Sequence, residues 1–271
     1  MHEAVIVDAV RTAAGRRNGR LSGTHPGELA AATLRALVER NNLDPVIVDD
    51  VIMGCVSQAG QQSLNIGRNA VLAAGWPESV PSTTVDRQCG SSQQALHFAA
   101  QGVMAGVYDV VVAAGVESMS NVPMGASVLK GEMGLPFPQK MLDRYADSGL
   151  PNQGIGAEMI AEEFGITREE LDEFGARSQR LATIATEEGR FENEIIPIEI
   201  EVDGETEMHV RDEGIRPDTT AEALANLKPA FQDDGMVTAG NSSQIADGAS
   251  AVLVMSAEKA KELGLRPRAR F

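Results

Sequence analysis

The stretch DVVVAAG at residues 109–115 is an almost wholly apolar run of strand length. Such a run predicts a strand that is buried on both of its faces. It follows a segment from about Gly90 to Gly106 whose apolar residues repeat at helical spacing, and that segment follows a strand candidate at 80–85. Because continuous apolar strands alternate here with helices, the sequence predicts an α/β fold in which helices cover both faces of a sheet.

The same alternation continues towards both ends of the chain. Apolar runs and helical spacing predict further elements, in the order strand 4–10, helix 26–41, strand 50–56, helix 65–74, strand 249–255 and helix 256–263. The helix at 65–74 stops before Gly75 and Pro77, which are residue types that commonly end helices. Ser256 is a candidate N-cap for the last helix.

The character of the sequence changes after about Ser118. Residues 119–152 are rich in Met, Gly and Pro and show little periodicity. Thr167 and Glu170 match a capping box at the start of a long helical pattern. The elements predicted beyond residue 152 are helices at 156–164 and 167–188, strands within 194–210 and a loop-rich segment at 215–241. The order is therefore an α/β unit, a long inserted segment and a return to α/β.

The chain is strongly acidic. Its 271 residues carry a formal net charge of −16 at pH 7, with 43% hydrophobic and 23% charged residues. That balance is ordinary for a globular protein of one large or two small domains. An acidic chain repels phosphate backbones, so nucleic acid is not an expected partner. An anionic ligand would need a local basic residue that works against the overall field.

The two cysteines, Cys55 and Cys89, do not form a disulfide framework of the kind that marks secreted domains. Residues 1–10 lack the long apolar core of a signal peptide. No apolar run approaches the roughly 18 residues needed to span a bilayer. We therefore expect a cytoplasmic protein with no membrane span.

Cys89 lies in the stretch DRQCGSS at 86–92, between a predicted strand and a predicted helix. A thiol there would face the N–H groups and the positive end of the helix, which stabilise a thiolate. The arrangement parallels a nucleophile elbow. A buried, inert cysteine is the alternative. Cys55 lies inside an apolar strand and is interpreted as a core residue.

No base for a cysteine nucleophile is evident in the sequence. The histidines are His2, His25, His97 and His209. His97 is eight residues beyond Cys89 on the same predicted helix, or roughly 12 Å along its axis, and is out of reach. Metal-binding spacings, a Rossmann glycine pattern and a Walker loop are all missing from the sequence, so no metal site is predicted.

Four spaced motifs resemble those of the thiolases, a family that includes acetyl-CoA acetyltransferases and 3-ketoacyl-CoA thiolases. They are VRT at 10–12, CGSS at 89–92, AAGVESMS at 113–120, and TAGNSS at 238–243 with DGA at 247–249. The resemblance runs in order over essentially the whole chain. Ser92 departs from it, since glycine is usual at that place.

The resemblance implies a layered α/β/α half of the thiolase fold with an inserted loop domain that binds coenzyme A (CoA). The expected division is an α/β domain at 1–118 plus 242–271 and the loop domain at 119–241, with the C-terminal half of the fold absent. By position, Arg216 resembles the arginine beside the adenine of CoA, Phe231 a residue that lines the pantetheine channel, and Ser243 the serine that is hydrogen-bonded to the pantetheine.

The resemblance also implies a two-step acyl transfer. Cys89 is the expected nucleophile, acyl-CoA the expected substrate, and no tightly bound cofactor is expected. The histidine, second cysteine and asparagine that thiolases supply from their C-terminal half are not found in this sequence. We therefore expect this chain alone to be inactive in turnover, and we expect a homodimer or homotetramer.

Other functions are open on the sequence alone. The chain is alternatively a non-catalytic module that binds CoA or acyl groups, which an assay of turnover with acetoacetyl-CoA and CoA would separate from an enzyme. A related condensing enzyme, such as a ketoacyl synthase, is disfavoured by the TAGNSS motif and by the long insertion. A cysteine hydrolase is disfavoured because no histidine partner is evident.

Overall fold

A computed structural model describes residues 2–202 and 204–271. Its strands are β1 Ala4–Thr12, β2 Gly15–Arg16, β3 Asp50–Gly54, β4 Ser82–Val85, β5 Val110–Ser118, β6 Ile195–Ile196, β7 Ile198–Val202, β8 Glu205–His209, β9 Ala246–Ser256 and β10 Ala269–Arg270. Its α-helices are α1 Pro26–Arg40, α2 Ile66–Ala73, α3 Ser91–Met104, α4 Gln139–Arg144, α5 Gln153–Phe164, α6 Arg168–Glu187, α7 Ala221–Ala225 and α8 Ala257–Glu262. Short 3-10 helices lie at Pro45–Ile47, Gly60–Gln62 and Ala126–Gly131.

The chain divides into two compact units. The first contains the residues up to Ser127, Glu192–Glu213 and Ala246–Phe271, and the second contains Val128–Phe191 and Gly214–Ile245. The resemblance implied that all of 119–241 forms the inserted domain, whereas the contacts group Glu192–Glu213 with the first unit. The reason is pairing: β6 runs parallel to the end of β1, and isoleucines of β6 and β7 are buried in the core of that unit.

The sheet of the first unit has the strand order β10-β1-β9-β5-β3-β4. Strand β3 runs parallel to β4 and β5, whereas β9 runs antiparallel to its neighbours β1 and β5. Side chains alternate along β5, so Val110, Val112 and Ala114 join a core with α1 and α2 while Val111 and Ala113 join a core with α3. Helices therefore cover both faces of the sheet, which confirms the predicted fold class.

Most predicted elements are present with shifted ends, and the predicted caps are confirmed. Ser256 accepts a hydrogen bond from Lys259 N at the start of α8. Thr167 and Glu170 form the capping box of α6. Helix α4, within the segment predicted to be irregular, and helix α7, within the loop-rich segment, were not predicted, because both are short and weakly patterned.

The second unit contains α4 to α7 and the other residues of Val128–Phe191 and Gly214–Ile245. Within this unit, Gly175 of α6 lies against Leu224 of α7 and against the backbone of Gly240. A Cβ at Gly175 would lie 2.7 Å from Gly240 O, so only glycine allows the helix and this segment to approach so closely. Among residues 2–202 and 204–271, no helix is long and apolar enough to cross a membrane.

Candidate active site

Cys89 is exposed in the turn between the end of β4 at Val85 and the start of α3 at Ser91. The N-cap of α3 is Gly90. Because glycine has no side chain, it cannot accept hydrogen bonds from the N–H groups of the first turn. Cys89 thus lies just before the start of α3, where the sequence predicted it.

Side chains of the turn itself fix its shape. Asp86 Oδ1 accepts a hydrogen bond from Gln88 N at 2.6 Å. Ser91 Oγ accepts one from Arg87 N at 3.0 Å and donates one to Gln88 O at 2.6 Å. Gln88 has a φ of 49°, in the left-handed region that non-glycine residues seldom adopt. These bonds anchor the residues on both sides of Cys89.

Two glycines allow the start of α3 to lie directly on the sheet. Gly54 of β3 and Gly115 of β5 are paired across the two parallel strands. A Cβ at Gly54 would overlap Ser92 N and lie 2.5 Å from Ser91 C, and a Cβ at Gly115 would lie 2.6 Å from Ser92 Cβ. This role was not predicted, although a glycine at the end of each of two apolar strands is a signal of close backbone approach.

Cys55 is buried, as predicted, and lies beside a carboxylate. Its Sγ is 4.0 Å from Glu117 Oε2. Burial, and then the negative charges of Glu117 and Asp86, raise the pKa of Cys55 to about 12. Cys55 therefore stays protonated at neutral pH and is a poor nucleophile.

Glu117 holds the segment that follows β3. Its carboxylate accepts hydrogen bonds from Val56 N at 2.9 Å, Ser57 N at 3.3 Å and Gln62 Nε2 at 2.8 Å. Gln62 in turn accepts a bond from Ser118 N at 2.7 Å. The acidic residue in the motif at 113–120 thus has a structural role that the sequence did not reveal.

Asp247 has a similar role in the neighbouring strand β9. It is buried and accepts hydrogen bonds from Ser118 Oγ, Ser120 N and Ser120 Oγ at 3.2, 2.8 and 2.6 Å. The motifs at 113–120 and 247–249 are therefore joined by a buried carboxylate at the end of the sheet.

The histidines have separate roles. His25 Nδ1 accepts a hydrogen bond from Gly27 N at 3.0 Å and caps α1, and His97 lies on the exposed side of α3. His209 is 1% exposed, and its Nε2 lies 3.2 Å from Ala13 O. Burial lowers the pKa of His209, so it is neutral at pH 7.

The three candidate CoA residues all lie in the second unit. Arg216 is exposed, and its N donates to Gln179 Oε1 at 2.8 Å. Phe231 is 43% exposed, and its ring covers Gly154 so closely that a Cβ there would overlap it. Ser243 is exposed. The side chains of all three are thus accessible within the unit.

Helix α6 and its neighbours connect these residues. Gln179 of α6 holds Arg216 N, and its Nε2 also reaches Gly214 O at 3.5 Å. Gln244, next to Ser243, donates to the same carbonyl at 2.8 Å. A short antiparallel pairing, in which Ala230 N donates to Val237 O at 2.9 Å, connects the segment of Phe231 with that of Ser243.

Side chains that could ligate a metal are dispersed over the described part of the chain. Within the ranges 2–202 and 204–271, no group of three or more His, Cys, Asp or Glu side chains is arranged to hold a metal ion.

Residues 4–258 match the family model described as thiolase, N-terminal domain. The chain belongs to the thiolase family. It is 47% identical to a steroid 3-ketoacyl-CoA thiolase from Mycobacterium tuberculosis, over all of this chain and 66% of that protein. It is also 47% identical to a 3-ketoacyl-CoA thiolase from Idiomarina loihiensis, over all of this chain and 69% of that protein.

A solved structure has the same fold. The crystal structure of the Bacillus anthracis acetyl-CoA acetyltransferase matches with a TM-score of 0.84 and 40% identity, over 100% of this chain and 69% of that chain. This chain thus spans about two thirds of the length of these proteins. The family predicted from the four motifs is confirmed, whereas the roles of Cys89, Arg216, Phe231 and Ser243 stay predictions.

Proposed function

We propose that this chain provides the acyl-accepting part of a thiolase, with Cys89 as the nucleophile and the second unit as the CoA-binding part. The observation that carries the proposal is the exposed Cys89 in front of α3, while the other cysteine, Cys55, is buried and protonated. An exposed cysteine side chain can be reached by an acyl donor, whereas the buried Cys55 cannot.

The proposed reaction transfers an acyl group in two steps. In thiolysis, the Cys89 sulfur attacks the 3-keto carbon of a 3-ketoacyl-CoA, the bond between carbons 2 and 3 breaks, and carbon 2 takes a proton to give acetyl-CoA. The thiolate of a second CoA then attacks the thioester carbon and releases Cys89. In condensation, the same steps run in reverse.

The accessible side chains of the second unit suit CoA. Arg216 is an exposed cation on a chain with a net charge of −16, and such a local charge is needed to attract a phosphate-bearing ligand. Phe231 offers an exposed ring face for an apolar stretch of the pantetheine, and Ser243 offers a hydroxyl for its amides.

The names of the relatives suggest a 3-ketoacyl-CoA as the substrate. That substrate class would place the chain in lipid or fatty-acid metabolism in the cytoplasm. We also propose a homodimer or homotetramer, which light scattering of the purified chain would test.

Intact mass spectrometry after incubation with acetyl-CoA tests the acyl-accepting role. We expect one acetyl group to be added to the wild-type chain and to the Cys55→Ala variant, and none to Cys89→Ala. Cys55→Ala is the matched control because it removes the buried cysteine. An adduct that persists in Cys89→Ala would contradict the proposal.

Failure of the wild type to react is also informative. If no adduct forms but CoA still binds, as measured by calorimetry, the acyl-accepting role is wrong and the chain is a CoA-binding module.

A further inference from the structure

The turn at 236–243 rests on two buried carboxylates from neighbouring helices. Glu158 of α5 is 3% exposed, and its two oxygens accept hydrogen bonds from Met236 N and Val237 N, both at 2.8 Å. Asp172 of α6 is 1% exposed, and its Oδ1 accepts a bond from Asn241 Nδ2 at 3.0 Å. Buried charge is costly unless it is hydrogen-bonded. The unit therefore uses two such charges to hold one turn.

Asn241 is the connection between Asp172 and the backbone of the turn. Its Oδ1 accepts a hydrogen bond from Thr238 N at 2.8 Å, while its Nδ2 donates to Asp172 and, at 3.2 Å, to Met236 O. Because both ends of the amide are engaged, its orientation is fixed by Asp172. A rotated amide would place a donor against Thr238 N and lose that bond.

Asp172 is itself oriented by an arginine. Its Oδ2 accepts a hydrogen bond from Arg168 Nε at 2.7 Å. Arg168 also donates to Leu224 O at 2.8 Å and to Leu227 O at 3.0 Å, so it closes the C-terminal end of α7. The Asp172 carboxylate is therefore held by a charge-assisted bond on one oxygen and by Asn241 on the other.

Ser243 lies between two anchored neighbours. Ser242 Oγ donates to Thr238 O at 2.6 Å, and Gln244 Nε2 donates to Gly214 O at 2.8 Å. Thr238, to which both Asn241 and Ser242 bind, is fully buried. The position of the Ser243 hydroxyl thus depends on Thr238, and Thr238 depends on Asn241.

We propose that Asp172 and Asn241 are positioning residues for CoA binding, which act by holding the turn that presents Ser243 to the pantetheine. This inference rests on the proposed CoA-binding role of the second unit. It goes further in assigning a role to two residues that act through the turn and not by touching the ligand.

The test compares two ligands on the full chain by titration calorimetry. CoA carries the pantetheine, whereas adenosine 3′,5′-bisphosphate carries the adenine and phosphates without it. Asp172→Asn should weaken CoA binding by roughly tenfold, as expected for the loss of one hydrogen bond, and Asn241→Asp by at least as much, because it also sets two carboxylates against each other. Binding of adenosine 3′,5′-bisphosphate should not change, because the contact of Arg216 N with Gln179 is untouched.

The double variant Asp172→Asn with Asn241→Asp should restore CoA binding in part, because it remakes the bond between the two side chains but not the one to Met236 O. In it, the amide introduced at position 172 can accept from Arg168 through its oxygen and donate through its NH₂ group to the carboxylate introduced at position 241. That carboxylate still accepts from Thr238 N. The net charge equals that of the wild type. Glu173→Gln is the matched control for Asp172→Asn, because it makes the same charge change on the exposed side of α6.

The direction of the change in CoA affinity distinguishes a positioning role of Asp172 from a simple effect of its charge. Asp172→Asn makes the chain less acidic, which by charge alone would strengthen the binding of an anion. We expect weaker binding instead. Single variants that bind CoA like the wild type, or that lose both ligands equally, would overturn the inference, and so would a double variant without recovery. A wild type that binds no CoA would overturn the proposed CoA-binding role itself, and the inference with it.

Discussion

The turn at 86–92, which carries Cys89, is held by its own side chains, whereas the turn at 236–243, which carries Ser243, is held by its own side chains and also by side chains from two helices. In the first turn, Asp86 and Ser91 bond to the backbone within a few residues. In the second, the carboxylates of Glu158 and Asp172 come from positions far away in the sequence.

The difference shows how each turn can fail. A turn held by local hydrogen bonds keeps its shape as long as the strand before it and the helix after it stay in place. It loses its shape when its packing on the sheet is disturbed. A turn held by distant carboxylates loses its shape when either helix loses its partner. The first arrangement suits a nucleophile that needs a fixed sulfur, and the second makes the ligand-binding segment dependent on the packing of its unit.

The contrast between the two cysteines gives the largest expected effect. At pH 8, a thiol with a pKa of about 12 is ionised in only about one molecule in 10⁴. Iodoacetamide should therefore alkylate the exposed Cys89 at least about 100-fold faster than Cys55. Alkylation of Cys55 should rise with pH up to about 12, because its thiolate fraction rises. Peptide mass mapping measures both rates.

Unfolded protein provides the control for this experiment, since both cysteines should then react. If Cys55 in the native chain reacts as fast as Cys89, the segment after β3 opens readily. The position of Cys89 in the turn at 86–92 then does not make it the more reactive cysteine.

The contact between the first turn and the sheet gives the next effect. Gly54→Ala places a Cβ against the backbone of Ser91 and Ser92, so the start of α3 must move away from the sheet. We expect a loss of about 3 kcal/mol in the free energy of unfolding, as for severe overpacking. Chemical denaturation with urea measures it.

Gly23→Ala is the matched control, because a Cβ at Gly23 meets nothing within 4 Å. If Gly54→Ala lowers the free energy of unfolding no more than Gly23→Ala does, the start of α3 is not packed against β3.

The bonds from Glu158 to the second turn give the third effect. Glu158→Gln replaces one of two accepting oxygens with an NH₂ group that faces a backbone N–H, and leaves that donor unsatisfied in a buried place. We expect a loss of about 2 kcal/mol in the free energy of unfolding. Hydrogen exchange of the amides of Met236 and Val237 should accelerate with it.

Glu162→Gln makes the same change on the exposed side of α5 and should alter the free energy of unfolding by less than about 0.5 kcal/mol. Equal effects of the two variants would show that Glu158 does not hold the turn.

The same comparison explains what could be predicted from the sequence. The elements of the sheet and the position of the first turn follow from local patterns, namely the alternating apolar runs and the glycine after Cys89. The support of the second turn could not be predicted, because Glu158 and Asp172 lie within helical patterns where acidic residues usually face solvent. Only the fold shows that these two are buried.

The sequence also missed features that depend on pairing between distant segments. The segment 192–213 belongs with the first unit because β6 pairs with β1, and no local pattern encodes that pairing. The roles of Gly54 and Gly115 likewise depend on the register of β3 with β5.

The left-handed backbone of Gln88 gives the smallest expected effect and tests whether the first turn stores strain. A non-glycine residue at φ 49° costs about 1 kcal/mol, which Gln88→Gly would relieve. Part of this gain is offset because glycine is more flexible in the unfolded chain. We expect the free energy of unfolding to rise by a few tenths of a kcal/mol to about 1 kcal/mol. Asn42→Gly, at φ 50°, should gain less, because asparagine tolerates this conformation better. If Gln88→Gly instead lowers stability by more than about 1 kcal/mol, the glutamine side chain, rather than Asp86 and Ser91, holds the turn.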